Sequence, residues 1–270
     1  MLAERGSVLG IDVGCSPTRR SSAVCRLDWD ARTIVWSIKR FRALEPERTD
    51  TIAAMAGDAL LSAVAIDGPL RSGFDLIGRY RIAERMLTRG MPCRVGKPGQ
   101  SSTPAGKRLN TNANACALAV RNRCKVASAR HASKIDDSAI VEAFPSSFLG
   151  VMIAEPAKLN VNRRNRSDAF FQHLTNNGAI FSFIENLLPK RSMQAELSAV
   201  NNHDDRAALV CALTALCLSA NQFSAVGDQD GWIILPSEHN MQGWAVSALT
   251  KNAEAVDPSR SAFYSTSNMI

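Results

Sequence analysis

The spacing of apolar and polar positions predicts that the chain begins with three strands. Apolar strand patterns cover residues 7–14, 22–29 and 33–41, and the third alternates clearly between apolar and polar positions. Short polar turns join these segments, which is typical of antiparallel neighbours. We therefore expect an antiparallel three-strand meander at the start of the fold.

The next pattern predicts strands that run parallel to the meander. Helical spacing covers residues 47–62, and a short apolar strand follows at 63–67. Another strand is expected at 138–144, where Pro145 ends it. Because a crossover helix makes the following strand parallel to one already in the sheet, 63–67 should lie beside the first strand and 138–144 beside 63–67. This order predicts an α/β fold of the RNase H-like type, with a mixed sheet flanked by helices.

The remaining patterns predict mainly helices. Helices are expected at 77–90, 109–124, 167–176, 178–188, 204–220 and 239–253, a long loop at 91–107 and a last strand at 231–235. A length of 270 residues is near the upper limit for one hydrophobic core. We expect a single domain over 1–255, with a helical and loop insertion at about 71–135 and a loose polar tail over 256–270.

Three of these strands each carry one carboxylate. Asp12 interrupts the first strand, Asp67 ends the strand at 63–67, and Glu142 lies within 138–144. A buried carboxylate without a partner is costly, so a metal ion, a cationic partner or water is expected beside each. Neighbouring strands are about 4.8 Å apart, and Mg²⁺ or Mn²⁺ prefers such oxygen ligands. Alternatively, Asp12 and Asp67 are turn residues and Glu142 pairs with an arginine.

Asp204 and Asp205 begin the predicted helix at 204–220, and we expect them to bring a fourth carboxylate to the same edge of the sheet. Four acids could hold one or two metal ions against a scissile phosphate. An N-cap role is the alternative for this pair. His203, directly before them, is a candidate proton carrier.

The charge pattern predicts a polyanionic partner. The formal net charge is +7, and the excess of Lys and Arg is concentrated between residues 71 and 134, with a second cluster at 163–166. Phosphate contact is the usual reason for such clustering, which favours nucleic acid, either DNA or RNA. A solvated basic face is the alternative.

Several segments, in order, resemble a known family. They are VLGIDVG, VAIDGPL, VEAFP, HDDRAALVCALTAL and GDQDGWIILP, and together they are similar to the predicted-nuclease family named domain of unknown function 429, which is assigned to the RNase H-like superfamily. The resemblance implies a nuclease in which Asp12, Asp67 and Glu142 hold metal. Holliday-junction resolvases of the RuvC type have an Asp-Ala-Leu segment in the late helix. This chain has Ala207-Ala208-Leu209 there, so only Asp204 and Asp205 could replace the inner acid.

Two other functions compete with a metal-dependent nuclease. GIDVGCSPT also resembles the phosphate loop of sugar kinases and actin-like proteins, although no second Gly-rich phosphate loop follows residue 150. A non-catalytic module that binds nucleic acid or a protein partner is the second alternative. The chain has no apolar run of the roughly 20 residues that span a bilayer, so we expect a cytoplasmic protein without membrane contact.

Overall fold

A computed structural model describes residues 2–71, 81–92, 103–129, 131, 133, 137–159, 162, 165–256 and 262–266. The strands in these ranges are β1 (Gly6–Asp12), β2 (Ser22–Trp29), β3 (Thr33–Phe41), β4 (Leu60–Leu61), β5 (Ala63–Asp67), β6 (Lys125–Val126), β7 (Ile140–Ala143), β8 (Ser192–Met193), β9 (Phe223–Asp228), β10 (Gly231–Pro236) and β11 (Phe263–Ser265). The helices are α1 (Glu47–Ala56), α2 (Ile82–Met86), α3 (Pro104–Arg123), α4 (Pro145–Gly150), α5 (Arg166–Asn176), α6 (Ala179–Leu187), α7 (His203–Ser219) and α8 (Gly243–Val256).

A mixed sheet is the centre of the fold. Within the described ranges it contains nine strands, in the order β11-β9-β10-β7-β5-β1-β2-β3-β8. β1, β2 and β3 are antiparallel neighbours, whereas β5 is parallel to β1 and β7 is parallel to β5. The structure confirms the predicted α/β fold in which a meander is joined to parallel strands and flanked by helices.

Two hydrophobic layers cover the sheet. On one face, α1 and α3 pack on a cluster that includes Leu9, Ile11 and Ile66. On the other face, α7 packs against β1, β2 and β5. Every residue of α7 from 207 to 218 is buried, so this part of the helix is enclosed on all sides. Burial around its whole circumference makes α7 part of the core.

The start of α7 is fixed by a side-chain cap. The Asn202 Oδ1 atom accepts hydrogen bonds from the backbone N–H groups of Asp204 at 2.9 Å and Asp205 at 3.4 Å. Asn is a favoured N-cap because its oxygen pairs with N–H groups that the helix leaves without partners. The N-cap role is therefore filled by Asn202, and the two aspartate side chains remain available for other contacts.

Several elements differ from the sequence-based prediction. The predicted helix at 109–124 begins earlier, at Pro104, because the Thr103 hydroxyl accepts a hydrogen bond from the Gly106 N–H and Pro fits the first helical turn. The predicted loose tail after 256 was partly wrong, since β11 pairs with β9. Of the helix predicted at 77–90, the structure describes α2. Residues 77–80 of that helix and 93–102 of the predicted loop lie outside the described residues.

Among the described helices, none combines the length and the apolar character that a membrane span requires.

Candidate carboxylate site

Asp12 and Asp67 end two neighbouring parallel strands. Ile11 of β1 lies beside Ile66 of β5, so the two aspartates follow at the same end of the sheet. Strand alternation turns both toward the face that α7 covers. Asp12 is registered with Ala23, which belongs to the hydrophobic cluster on the α7 face. The predicted meeting of these two acids at one sheet edge is thus present in the structure.

The Asp12 carboxylate is almost fully enclosed. Its exposed fraction is 9%, and within the described part of the chain no side chain donates a hydrogen bond or ion pair to it. Burial raises the pKa of Asp12 well above its usual value, and the negative charges of Asp67, Asp204 and Asp205 raise it further. The structure therefore groups these four aspartates electrostatically and concentrates negative potential at Asp12.

Asp67 is half-buried beside the same helix. Burial and, to a smaller extent, the negative charge of the nearby Glu142 carboxylate together raise the pKa of Asp67 to about 7. Both Asp67 and Asp12 also act electrostatically on the buried Cys211 thiol of α7. At neutral pH the Asp67 carboxyl is therefore balanced between its protonated and ionised forms, and a nearby cation would favour ionisation.

The N-terminus of α7 contributes the third and fourth aspartates. Asp205 Oδ1 lies 3.2 Å from the Arg40 Nε atom, whereas burial raises the pKa of Asp204 against the opposing effects of His203 and Arg40. Arg40 is registered with Ala23 across β2 and β3, two strands away from Asp12. Arg40 thus neutralises Asp205 at the rim, and Asp12 has no such partner among the described side chains.

Glu142 is placed differently from the prediction. It is the direct neighbour of Ile66, so it lies on the opposite face of the sheet from Asp12 and Asp67. The Arg81 Nη1 and Nη2 atoms donate to its two oxygens at 2.8 and 2.6 Å, and Arg81 Nε donates to Glu84 at 3.0 Å. The alternative that an arginine pairs with Glu142 is therefore what the structure contains.

The number of metal-ligating side chains that lie close together limits how a metal ion could bind. Within the described ranges, no three His, Cys, Asp or Glu side chains form a group that could hold a metal ion. Mg²⁺ commonly binds through one or two carboxylates and completes its shell with water and substrate phosphate. Asp12, which has no cationic partner among the described side chains, and the adjacent Asp67 fit that pattern, whereas Glu142 does not because the positive charge of Arg81 lies against both of its oxygens.

Some polar contacts near the site could not be recognised from the sequence pattern. Arg81 was one of many arginines in a basic stretch, and its pairing with Glu142 spans 61 residues. His203, the candidate proton carrier, forms a hydrogen bond with Asp168, in which its Nδ1 atom lies 3.0 Å from Oδ2. Arg206 Nη1 lies 3.1 Å from the other oxygen, Asp168 Oδ1. The i,i+3 spacing of Arg81 and Glu84 was the local sign of an ion pair.

A scan against protein-family models, a search of curated proteins and a search of solved structures found no match to this chain. The family resemblance of the ordered segments therefore stays a prediction.

Proposed function

We propose that this protein is a divalent-metal-dependent phosphodiesterase of RNase H-like fold that acts on nucleic acid, with Asp12 and Asp67 as its metal-binding residues. The observation that carries the proposal is the enclosed Asp12 carboxylate, which has no cationic partner among the described side chains and is surrounded by the charges of Asp67, Asp204 and Asp205. Only a cation or protonation relieves such a concentration of negative charge. The strand order β3-β2-β1-β5-β7 also agrees with the RNase H-like expectation.

Mg²⁺ or Mn²⁺ bound there would supply Lewis-acid activation of a phosphate and of the attacking water. Asp12 and Asp67 would hold the ion because both end at one sheet edge. Asp204 and Asp205 would strengthen the negative potential and would orient water ligands of the ion. Glu142 would act through Asp67, because its charge raises the pKa of that residue.

Basic side chains beside the acids support a nucleic-acid substrate. Arg40 lies at the rim next to Asp205, and Arg19 is exposed in the segment that joins β1 to β2. Arg108 of α3 acts electrostatically on Cys15, three residues after Asp12. Phosphate groups are the usual partners of arginines placed in this way, and they would position a strand without reading its sequence. The net charge of +7 favours the same partner.

The proposal is tested by titrating Mn²⁺ into the protein by calorimetry, with Asp12→Asn, Asp67→Asn and Asp58→Asn. Saturable binding should be lost in the first two variants and retained in the third, whose side chain is exposed and precedes the end of β5 opposite to Asp67. Cleavage of labelled single- and double-stranded DNA and RNA is then compared in Mg²⁺ and in EDTA. Absence of Mn²⁺ binding, with and without oligonucleotide, would contradict the proposal.

A non-catalytic nucleic-acid-binding module is the second candidate. It is favoured by the lack of a three-ligand group in the described ranges and by the pairing of Glu142 with Arg81. Such a module would bind oligonucleotides with an affinity that falls as salt concentration rises. It would show no metal-dependent cleavage, and Asp12→Asn would leave its affinity unchanged or raise it.

A further inference from the structure

A buried arginine pairs with two buried carboxylates beside Asp67. The side chain of Arg81 is 1% exposed and is enclosed together with those of Glu84, at 1%, and Glu142, at 6%. A guanidinium remains charged in proteins, so this charge is permanent. Arg81 is thus a fixed buried cation within the fold.

Arg81 pairs with both oxygens of Glu142. Nη1 and Nη2 reach one carboxylate oxygen each, at 2.8 and 2.6 Å, in the two-bond arrangement that arginine forms with carboxylates. The Arg81 backbone N–H and Nε atom both donate to Glu84, at 3.0 Å each. These hydrogen bonds hold the positive charge of Arg81 against both Glu142 oxygens, and that charge repels a metal cation there.

The backbone around Arg81 is shaped to admit the guanidinium. A Cβ atom on Gly231 would lie 2.7 Å from Arg81 Nη1 and 3.6 Å from Glu142 Oε2. Gly231 also has a φ of +132°, which L side chains rarely adopt. The absence of a side chain at the start of β10 therefore leaves the space that the ion pair occupies.

Asp67 connects the ion pair to the aspartate site. Asp67, Arg81, Glu84 and Glu142 line one cavity of about 50 Å³, which has room for ordered water. The Asp67 charge acts on Asp12, and the Glu142 charge acts on Asp67. Asp67 therefore borders both the Asp12 carboxylate and the ion pair of Arg81 with Glu142.

We propose that Arg81 takes the place of a second metal ion, so that the protein binds a single divalent cation, beside Asp12 and Asp67. The inference rests on the proposed function and narrows its metal requirement. Arg81 is a positioning residue, because its charge acts through Glu142 and Asp67. Its removal would free the Glu142 oxygens and, with Asp67, create a second two-carboxylate position for Mg²⁺ or Mn²⁺.

The test measures the number of Mn²⁺ ions bound per chain by calorimetry, with electron paramagnetic resonance to detect a spin-coupled Mn²⁺ pair. The parent protein should bind one ion and show no coupling. Arg81→Met should bind two ions, and Arg81→Met/Glu142→Gln should return to one. If Arg81→Met does not fold, Arg81→Met/Glu84→Gln lowers the uncompensated charge, and it should also bind two.

The outcomes separate this inference from the function that it rests on. Two ions in the parent protein, or one ion in a folded variant that lacks Arg81 and keeps Glu142, would overturn the role of Arg81 and leave a metal site at Asp12 intact. No ion in the parent protein, with and without oligonucleotide, would overturn both. One ion in the parent and two in Arg81→Met is the result that supports the inference.

Discussion

Gly10 of β1 and Ala212 of α7 approach so closely that a Cβ atom on Gly10 would lie 2.0 Å from the Ala212 backbone nitrogen. The same Cβ would lie 2.3 Å from the Ala208 carbonyl oxygen. Backbone atoms on both sides of the contact cannot give way as a flexible side chain would. This contact holds α7 against β1, two residues before Asp12, and so sets how Asp204 and Asp205 face the strand ends.

Gly10→Ala should therefore destabilise the fold. Overpacking of a filled core costs about 1–3 kcal/mol in free energy of unfolding, and backbone atoms at this distance place the change at or above the upper end. Urea denaturation measures the loss. Gly243→Ala is the matched control, because a Cβ atom there would meet nothing within 4 Å. Equal stability of the two variants would contradict the packing described for α7.

Asp67 should make the fold less stable as pH rises. Its pKa is about 7 in the folded protein, against an ordinary value of 3.8. Between about pH 4 and pH 7 the folded state retains a proton that the unfolded state releases, so the free energy of unfolding falls through this range, by up to about 4 kcal/mol. The contribution is fully present below the unfolded pKa and is lost as pH rises through the folded pKa.

Asp67→Asn should remove this contribution. In EDTA, the variant should be more stable than the parent at pH 8 and close to it at pH 4, as measured by urea denaturation at both pH values. Asp58→Asn, at an exposed position, should follow the parent at both. If the free energy of unfolding of the parent rises relative to that of Asp67→Asn as pH increases, the Asp67 carboxylate has a cationic partner and the prediction is wrong.

Loss of the Glu142 charge should leave a buried guanidinium partly uncompensated. Removing one partner of a buried ion pair costs about 3–5 kcal/mol in free energy of unfolding, and Glu84 should reduce this because it still pairs with Arg81. We expect Glu142→Gln to lower stability by about 3 kcal/mol in chemical denaturation. Glu155→Gln breaks the exposed pair with Lys158 and should cause no measurable change.

The Asn202 cap should stabilise α7 and hold its first turn in place. Asn202→Ala removes the acceptor for the Asp204 and Asp205 N–H groups and should cost about 1 kcal/mol in free energy of unfolding. Asn202→Ser retains a capping oxygen and should lose less. Thermal denaturation compares the two variants, and equal losses would show that the cap oxygen is not what stabilises the helix start.

The sequence by itself determined the order of five strands in the central sheet, β3, β2, β1, β5 and β7. Apolar alternation located β1, β2 and β3, and the crossover rule placed β5 beside β1 and β7 beside β5. These predictions succeed because strand periodicity and crossover handedness are local or nearly local properties of a chain. The same reasoning placed Asp12 and Asp67 at one edge of the sheet.

Short edge strands were beyond that reasoning. β8 has two residues and β11 has three, and each exists because a neighbouring strand offers unpaired backbone groups. Segments of this length show no periodicity to detect. Their position depends on where the tertiary fold brings them.

Only the tertiary structure decided the composition of the candidate site. Glu142 follows an apolar strand pattern as Asp12 and Asp67 do, but its register beside Ile66 turns it to the opposite face. A one-residue change of register reverses the face of a strand residue, and the sequence did not fix that register. The partner of Glu142 is Arg81, 61 positions away, and a contact at that separation is set by packing alone.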